Sequence, residues 1–169
     1  VICQGGETGV ARGAHLGALD GGLRISGYMP RSELDERGVI PVDVAQYLWR
    51  CATGERDHGY AARTGANVEL CHALLLVVQS VEAPDASPGS ALTWRVAKER
   101  ERPWMIVDPN TLIKDIQKWV GERGKDYPNE FRLLVAGPRA SRWANGESVA
   151  RTFVAALGAV SWRISAAGM

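Results

Sequence analysis

Val1-Ile2-Cys3-Gln4-Gly5-Gly6-Glu7-Thr8-Gly9-Val10 opens the chain with a short apolar run, a glycine-rich turn and the first residue of a helical pattern. An apolar run closed by glycines reads as a strand buried on both faces, and residues 10–19 carry the spacing of a helix. A strand that passes through a glycine turn into a helix is the first half of a βαβ unit. The same punctuation returns along the chain. Strand-like runs at 23–28, 73–79, 104–108 and 131–136 alternate with helical patterns at 60–70, 90–101, 112–122 and 147–157. Leu112, Ile113, Ile116, Trp119 and Val120 recur at helical spacing, as do Val149, Phe153, Ala156 and Leu157, so each of these helices buries one face. Right-handed crossovers between such strands predict an α/β fold, a Rossmann-like three-layer sandwich with a mainly parallel sheet of about five strands. The whole of 1–169 is expected to form one such domain, with a long irregular excursion at 29–57 where Pro30, Gly38, Pro41 and Gly54 interrupt any pattern.

Composition narrows the partners. A length of 169 residues, 46% of them hydrophobic, is enough for a substantial core. Twenty Lys and Arg against 19 Asp and Glu leave a net charge of +1, so no global field favours nucleic acid or an anionic membrane, and an anion site must be local. The longest apolar run, residues 73–78, is six residues, far short of the roughly 20 that span a bilayer. Cys3, Cys51 and Cys71 lack metal-ligand spacing, and their odd number, with no visible signal sequence, suits the cytoplasm. His15, His58 and His72 show no i, i+4 pairing and no nucleophile motif accompanies them, so neither a metal site nor a catalytic triad is expected.

In an open parallel sheet, ligands bind beyond the carboxyl ends of the strands, which makes the glycine-rich strand exits the candidate sites. Gly5, Gly6, Glu7, Thr8 and Gly9 follow the first strand, where glycines permit close backbone approach and helix N–H groups point at an anion. Three glycines in five residues exceed what a plain turn needs, although the stretch is neither G-x-G-x-x-G nor a P-loop. Gly89, Ser90 and Thr93 open the helix after the most apolar strand; Ser87 or Ser90 acting only as a helix cap explains that exit nearly as well. Arg139 leaves the last strand on the same rim, where a solvated arginine in a turn is the simpler account. Arg63 and Asn67, flanking Thr64, are i, i+4 neighbours able to offer a guanidinium and an amide together, and Arg31 either reaches the pocket or merely ends a strand. The pocket is expected at the carboxyl ends of the first and third strands, between 5–9 and 89–93. Trp94 and Trp143 stand beside candidate exits, placed to flank a flat ring, although core packing is the stronger reading of the six tryptophans.

Taken together, Gly5-Gly6-Glu7-Thr8-Gly9-Val10, Pro30-Arg31 with an acidic loop and Ile40-Pro41, Arg63-Thr64-x-x-Asn67-Val68, Gly89-Ser90-x-x-Thr93 and Ala136-Gly137-Pro138-Arg139-x-Ser141 follow a recognisable order. Over nearly the whole chain this order resembles the molybdenum cofactor carrier family. That family lies in the Rossmann-like superfamily that includes lysine-decarboxylase-like phosphoribohydrolases and nucleotide-ligand sensors. The resemblance implies a homo-oligomer that binds, stores or carries molybdenum cofactor (molybdopterin), a phosphorylated pterin holding a molybdenum oxide, at the residues named above, with molybdoenzymes as recipients. This sequence departs from the family in three places. Glu7 replaces the usual glutamine, Ala11 an acidic residue, and Cys71-His72 the Ser-Asp pair before the third strand. The alternative within the superfamily is a nucleotide-binding sensor or a nucleoside monophosphate phosphoribohydrolase. The hydrolases place a catalytic glutamate three residues after the threonine; here that position is Val96, so no turnover is expected.

Overall fold

The structure, a computed structural model, describes residues 1–52 and 60–160. His58, Gly54 and the end of the 29–57 excursion lie outside the described residues. In chain order the elements are β1 (Ile2–Cys3), α1 (Val10–Asp20), β2 (Ile25–Ser26), β3 (Tyr28–Met29), β4 (Leu34–Asp35), β5 (Gly38–Val39), α2 (Val42–Ala45), β6 (Trp49–Arg50), α3 (Tyr60–Leu70), β7 (Ala73–Val77), α4 (Pro88–Glu99), β8 (Trp104–Val107), α5 (Ile113–Gly124), β9 (Leu133–Ala136) and α6 (Gly146–Leu157).

Each of the five sequence-predicted strands contributes to one sheet of order β2-β1-β9-β7-β8, parallel at every pairing. The physics of β7 shows why the sheet is a sandwich filling. Its five residues are all buried. Ala73, Leu75 and Val77 join a cluster with Ile2, Val10, Ile116 and Phe153 on one face, while Leu74 and Leu76 join Cys3, Val68 and Ala97 on the other. Alternate side chains of a strand point to opposite faces, so a continuous apolar run demands helices on both.

The strand order carries more information than the fold class. The usual dinucleotide-binding order is 3-2-1-4-5, with the first strand of the chain at the centre. Here the central strand, β9, is the last strand in the sequence. Reading β9 as strand one, β1 as two, β2 as three, β7 as four and β8 as five restores the usual order, with its first βα unit moved to the carboxyl end of the chain. The companion helix of that unit, α6, packs closely on α1, because Gly13 and Gly17 remove side chains from the contact. A Cβ on Gly13 would stand 2.1 Å from the Glu147 carbonyl oxygen.

The excursion is more regular than expected. From residue 28 to 50, β3 pairs in parallel with β6, β4 and β5 form an antiparallel hairpin, and Met29, Ile40, Val44 and Leu48 bury a small cluster of their own. Elements of two to four residues leave no periodicity to detect in the sequence. Two latches hold the hairpin to the sheet rim. Arg12 on α1 pairs with Asp35 at 3.1 Å. Glu36 accepts hydrogen bonds from the Thr8 and Ser141 hydroxyls and from the Ser141 amide, the last at 3.0 Å, and pairs with Arg139 at 3.4 Å. Burial alone would raise the Glu36 carboxyl; the hydrogen bonds from Ser141 and Thr8, then Arg139, outweigh it and hold the group below the usual carboxylate range.

Two outcomes follow for stability. Gly13→Ala is expected to push α1 from α6 and cost about 1–3 kcal/mol, the scale of overpacking, read as a lowered urea midpoint with unchanged slope. Glu36→Gln should cost on the order of 1 kcal/mol at neutral pH, since the pair is solvent-screened. A depressed folded pKa contributes stability above the unfolded value, about 4.3, and loses it as pH falls through the folded one. The gap between wild type and Glu36→Gln therefore closes in urea titrations below about pH 4.

Candidate functional site

The carboxyl ends of β1, β9 and β7 form one rim of the sheet. β9 lies between the other two, so the exits 5–9 and 88–93 stand on either side of its carboxyl end. The floor between them is the end of β9 itself. An inner hollow of about 50 Å³ is lined by Gly5, Glu7, Arg63, Thr64, Asn67, Gly89 and Thr93 over Leu134 to Gly137. It opens into an outer hollow of about 250 Å³ that shares Glu7, Arg63, Thr64, Gly89 and Gly137, and adds Tyr60, Ser87, Pro88, Leu92, Arg139 and Arg142. Behind the start of α4 a third hollow of about 200 Å³ brings Ser87, Ser90 and Arg142 against Pro138 and Trp143. These are the crevices at the switch point, between the strands where the winding of the sheet reverses.

The predicted site residues divide into three groups. Gly5, Glu7, Arg63, Thr64, Asn67, Gly89, Thr93 and Arg139 line the inner or outer hollow, and Ser90 the third. Gly6, Thr8 and Gly9 are not among the lining residues; they shape the loop from behind. The Gly6 amide donates to the Gln4 side chain, the Val10 amide donates to the Pro138 carbonyl at 3.1 Å, and Thr8 is held by Glu36 and the Ala140 amide. Gly9 has φ 74° and lies so close to the 138–140 backbone that a Cβ would stand 2.5 Å from the Pro138 oxygen. Gly9 therefore answers to packing against β9's exit, whereas Gly5 lies against Arg63 and Gly6 against Ile40 and Leu48; the Gly6 and Val10 amides are spent within the protein. Arg31 lies elsewhere, donating to the Ala52 carbonyl at 3.3 Å.

Within the cleft, hydrogen bonding separates structural from available groups. Asn67 bonds Tyr28 with both ends of its amide, accepting from its N–H at 2.8 Å and donating to its carbonyl at 2.9 Å, and so ties α3 to β3. Thr64 and Thr93 donate to the carbonyls of Tyr60 and Gly89 one turn earlier, which leaves only their oxygen lone pairs for a ligand. Arg63 lies along Gly5, where a Cβ would come within 2.9 Å of its Cδ, and reaches Glu7 Oε1 with Nη1 at 2.8 Å. Its guanidinium carbon also stands 5.3 Å from the centre of the Tyr60 ring. Burial, and after it the Glu7 carboxylate, push the Tyr60 phenol up, so it stays protonated.

The start of α4 is different. Ser87 makes no side-chain cap, and Pro88 occupies the first turn, so the amides that follow have no acceptor within the helix. Ser90 is 1% exposed and its hydroxyl has no hydrogen-bond partner among the described residues. Arg142, which lines both hollows here, has no ion-pair or side-chain hydrogen-bond partner among them either. Sequence reasoning missed Arg142 and Tyr60; an exposed arginine three residues after Arg139 carries no signal that separates it from any solvated one.

The remaining candidates are structural. Val96 packs with Trp94 against the cluster of Cys3, Val68 and Leu76, so no acid stands at that position. Trp94 meets Trp104 edge to face and Lys98 at 3.9 Å rather than flanking the cleft, whereas Trp143 lies in the core and walls the third hollow. His15 and His72 are both pushed down, first by burial, and His72 stacks on Tyr127. Among the described residues no three His, Cys, Asp or Glu side chains converge as metal ligands would, and no helix is long and apolar enough to cross a membrane.

Comparison with known proteins agrees with this architecture. A solved structure described as "Putative molybdenum carrier protein", from Syntrophus aciditrophicus SB, matches with a TM-score of 0.76 and 24% identity, over 92% of this chain and 92% of that one. At that identity the likeness shows the fold. No curated protein matches the chain significantly. The sequence profile of the circularly permutated YpsA SLOG family matches residues 2–157, and the displaced central strand is what such a permutation produces. The chain belongs to the circularly permutated YpsA SLOG family.

Proposed function

We propose that this protein binds a phosphate-bearing cofactor at the start of α4 and stores it or hands it on without turnover, and that the cofactor is molybdenum cofactor. The observation that carries the reading is the unsatisfied start of α4: first-turn amides with no side-chain cap and, among the described residues, a buried Ser90 hydroxyl without a hydrogen-bond partner and an Arg142 side chain without an ion pair at the same hollow. Buried polar groups are ordinarily satisfied. A phosphate offers acceptors to all three at once, in the field of a helix N-terminus. The outer hollow adds Arg139, half-exposed and shared with Glu36. The third hollow shares Ser87 and Arg142 with the outer one, so ring and phosphate would occupy neighbouring hollows, and the molybdenum stays on the cofactor's own dithiolene, since the described side chains supply no metal-ligand set.

Non-enzymatic action is supported by the apolar setting of Val96, which leaves that turn of α4 without an acid. Self-association, implied by the resemblance, has surface available in Val39, Val42, Tyr47 and Trp49, all exposed between residues 39 and 49; a monomer mass in sedimentation at micromolar concentration would refute it.

The protein purified from a cofactor-producing host is expected to carry pterin fluorescence and molybdenum. Release of free base from nucleoside monophosphates would overturn the carrier reading. Arg142→Ala should weaken inorganic phosphate binding about tenfold by calorimetry, the equivalent of one charge-assisted hydrogen bond. Glu7→Gln, which frees Arg63 from its carboxylate, should leave phosphate affinity unchanged or raise it; abolished binding would reverse the role given to Glu7.

A further inference from the structure

Glu7 is the anomaly of a cleft that otherwise suits an anion. Its carboxylate lies in both the inner and outer hollows, and its side chain is 23% exposed. Arg63 Nη1 stands 2.8 Å from Oε1 as an ion pair without hydrogen-bond alignment, and neither carboxylate oxygen accepts a hydrogen bond among the described residues. Stability does not account for the pair, because a partly buried ion pair of this kind contributes little net energy once desolvation is counted. A bound phosphate would not account for it either, since a carboxylate in the same cleft repels one. The carboxylate becomes favourable only when the part of the ligand nearest to it presents hydrogen-bond donors.

We infer that Glu7 selects the ring of the ligand, accepting the two adjacent N–H groups of a 2-amino-4-oxopyrimidine edge, the edge that guanine and pterins share. The chemistry discriminates sharply. That edge offers a ring N–H and an exocyclic amino group side by side, matching the spacing of two carboxylate oxygens. Oε2 takes one, and Oε1, in ion-pair contact with Arg63, takes the other. Hypoxanthine lacks the amino group. Adenine places ring acceptors next to its amino group, opposite a carboxylate that can only accept. Arg63 holds Glu7 in place and is itself held against Gly5 and the Tyr60 ring, so the reading group is positioned before the ligand arrives. The inference deepens the proposed function, on which it rests for the placement of ring and phosphate in neighbouring hollows.

Calorimetry on the intact protein separates the two. GMP and IMP differ by the one amino group, guanosine and inosine repeat that difference without phosphate, inorganic phosphate reports the α4 end alone, and 6-hydroxymethylpterin phosphate distinguishes a pterin site from a nucleotide site. GMP or the pterin phosphate, or both, should bind at least tenfold more tightly than IMP, and Glu7→Gln should reduce that ratio to below about threefold while phosphate affinity is kept. Equal binding of GMP, the pterin phosphate and IMP by the wild type overturns the inference and leaves the phosphate site standing, with no variant needed. Preference for guanosine over inosine without any affinity for phosphate-bearing probes supports the ring reading and overturns the phosphate end. A variant that folds and keeps the full preference overturns the role of Glu7.

Discussion

The pairing of β9 with β1 on one side and β7 on the other closes the sheet at its centre, and every feature of the cleft depends on it. Leu133 and Leu134 stand in register with Ile2 and Cys3 in one direction and with Ala73 and Leu74 in the other. Without β9, β1 and β7 have no contact ladder between them, and residues 5–9 have no wall to pack on. The N-terminal strand, paired on one side with β2, is joined to the rest of the sheet when the last βα unit has formed, a closure over some 130 residues that puts distant contacts of the chain at its core. α6 follows directly and packs on α1, so the same event seals one face of the sandwich.

That central strand also sets the electrostatics. The exit of β9 delivers Arg139, Ser141 and Arg142 into the gap between the turn after β1 and the start of α4. Acidic groups from other elements neutralise part of this charge. Glu36, brought over the rim by the β4–β5 hairpin, takes Arg139, and Glu7 takes Arg63. Arg142 remains, beside a helix start without a side-chain cap and a Ser90 hydroxyl that has no hydrogen-bond partner among the described residues. The cleft is therefore polarised, with a cationic, donor-rich end at α4 and an acceptor at Glu7. A ligand with a phosphate at one end and N–H donors at the other satisfies both ends; a simple anion satisfies one.

The hairpin latch shows how the irregular part of the chain serves the regular part. Asp35 and Glu36 are neighbours in sequence, yet they hold α1 through Arg12 and the β9 exit through Ser141 and Arg139. A two-residue clamp of this kind fixes the position of the turn 5–9 without placing a ligand group in it. Gly9 of that turn then serves the close approach of two backbones.

Much of this was legible in the residues taken alone. Continuous apolar runs such as 73–77 can only be strands covered on both faces, and the apolar spacing of residues 112–120 and 149–157 can only serve helices with one buried side. Those are local properties, dictated by the period of the backbone, and they were sufficient for the sandwich and for most of the cleft-lining positions. Strand order is not local. Nothing in residues 131–136 says whether that strand closes an edge or fills the centre, because a fully apolar strand suits either a central position or a covered edge. Hydrogen-bond allocation is not local either. Asn67 reads as an available amide until the fold brings Tyr28 beside it, Arg142 reads as solvated until α4 starts next to it, and Gly9 reads as part of a phosphate cradle until the backbone after β9 is seen to press on it. Periodicity records which face of an element is buried; which groups remain unsatisfied emerges only when distant segments are packed together, since a donor is spent or free according to its neighbours in space.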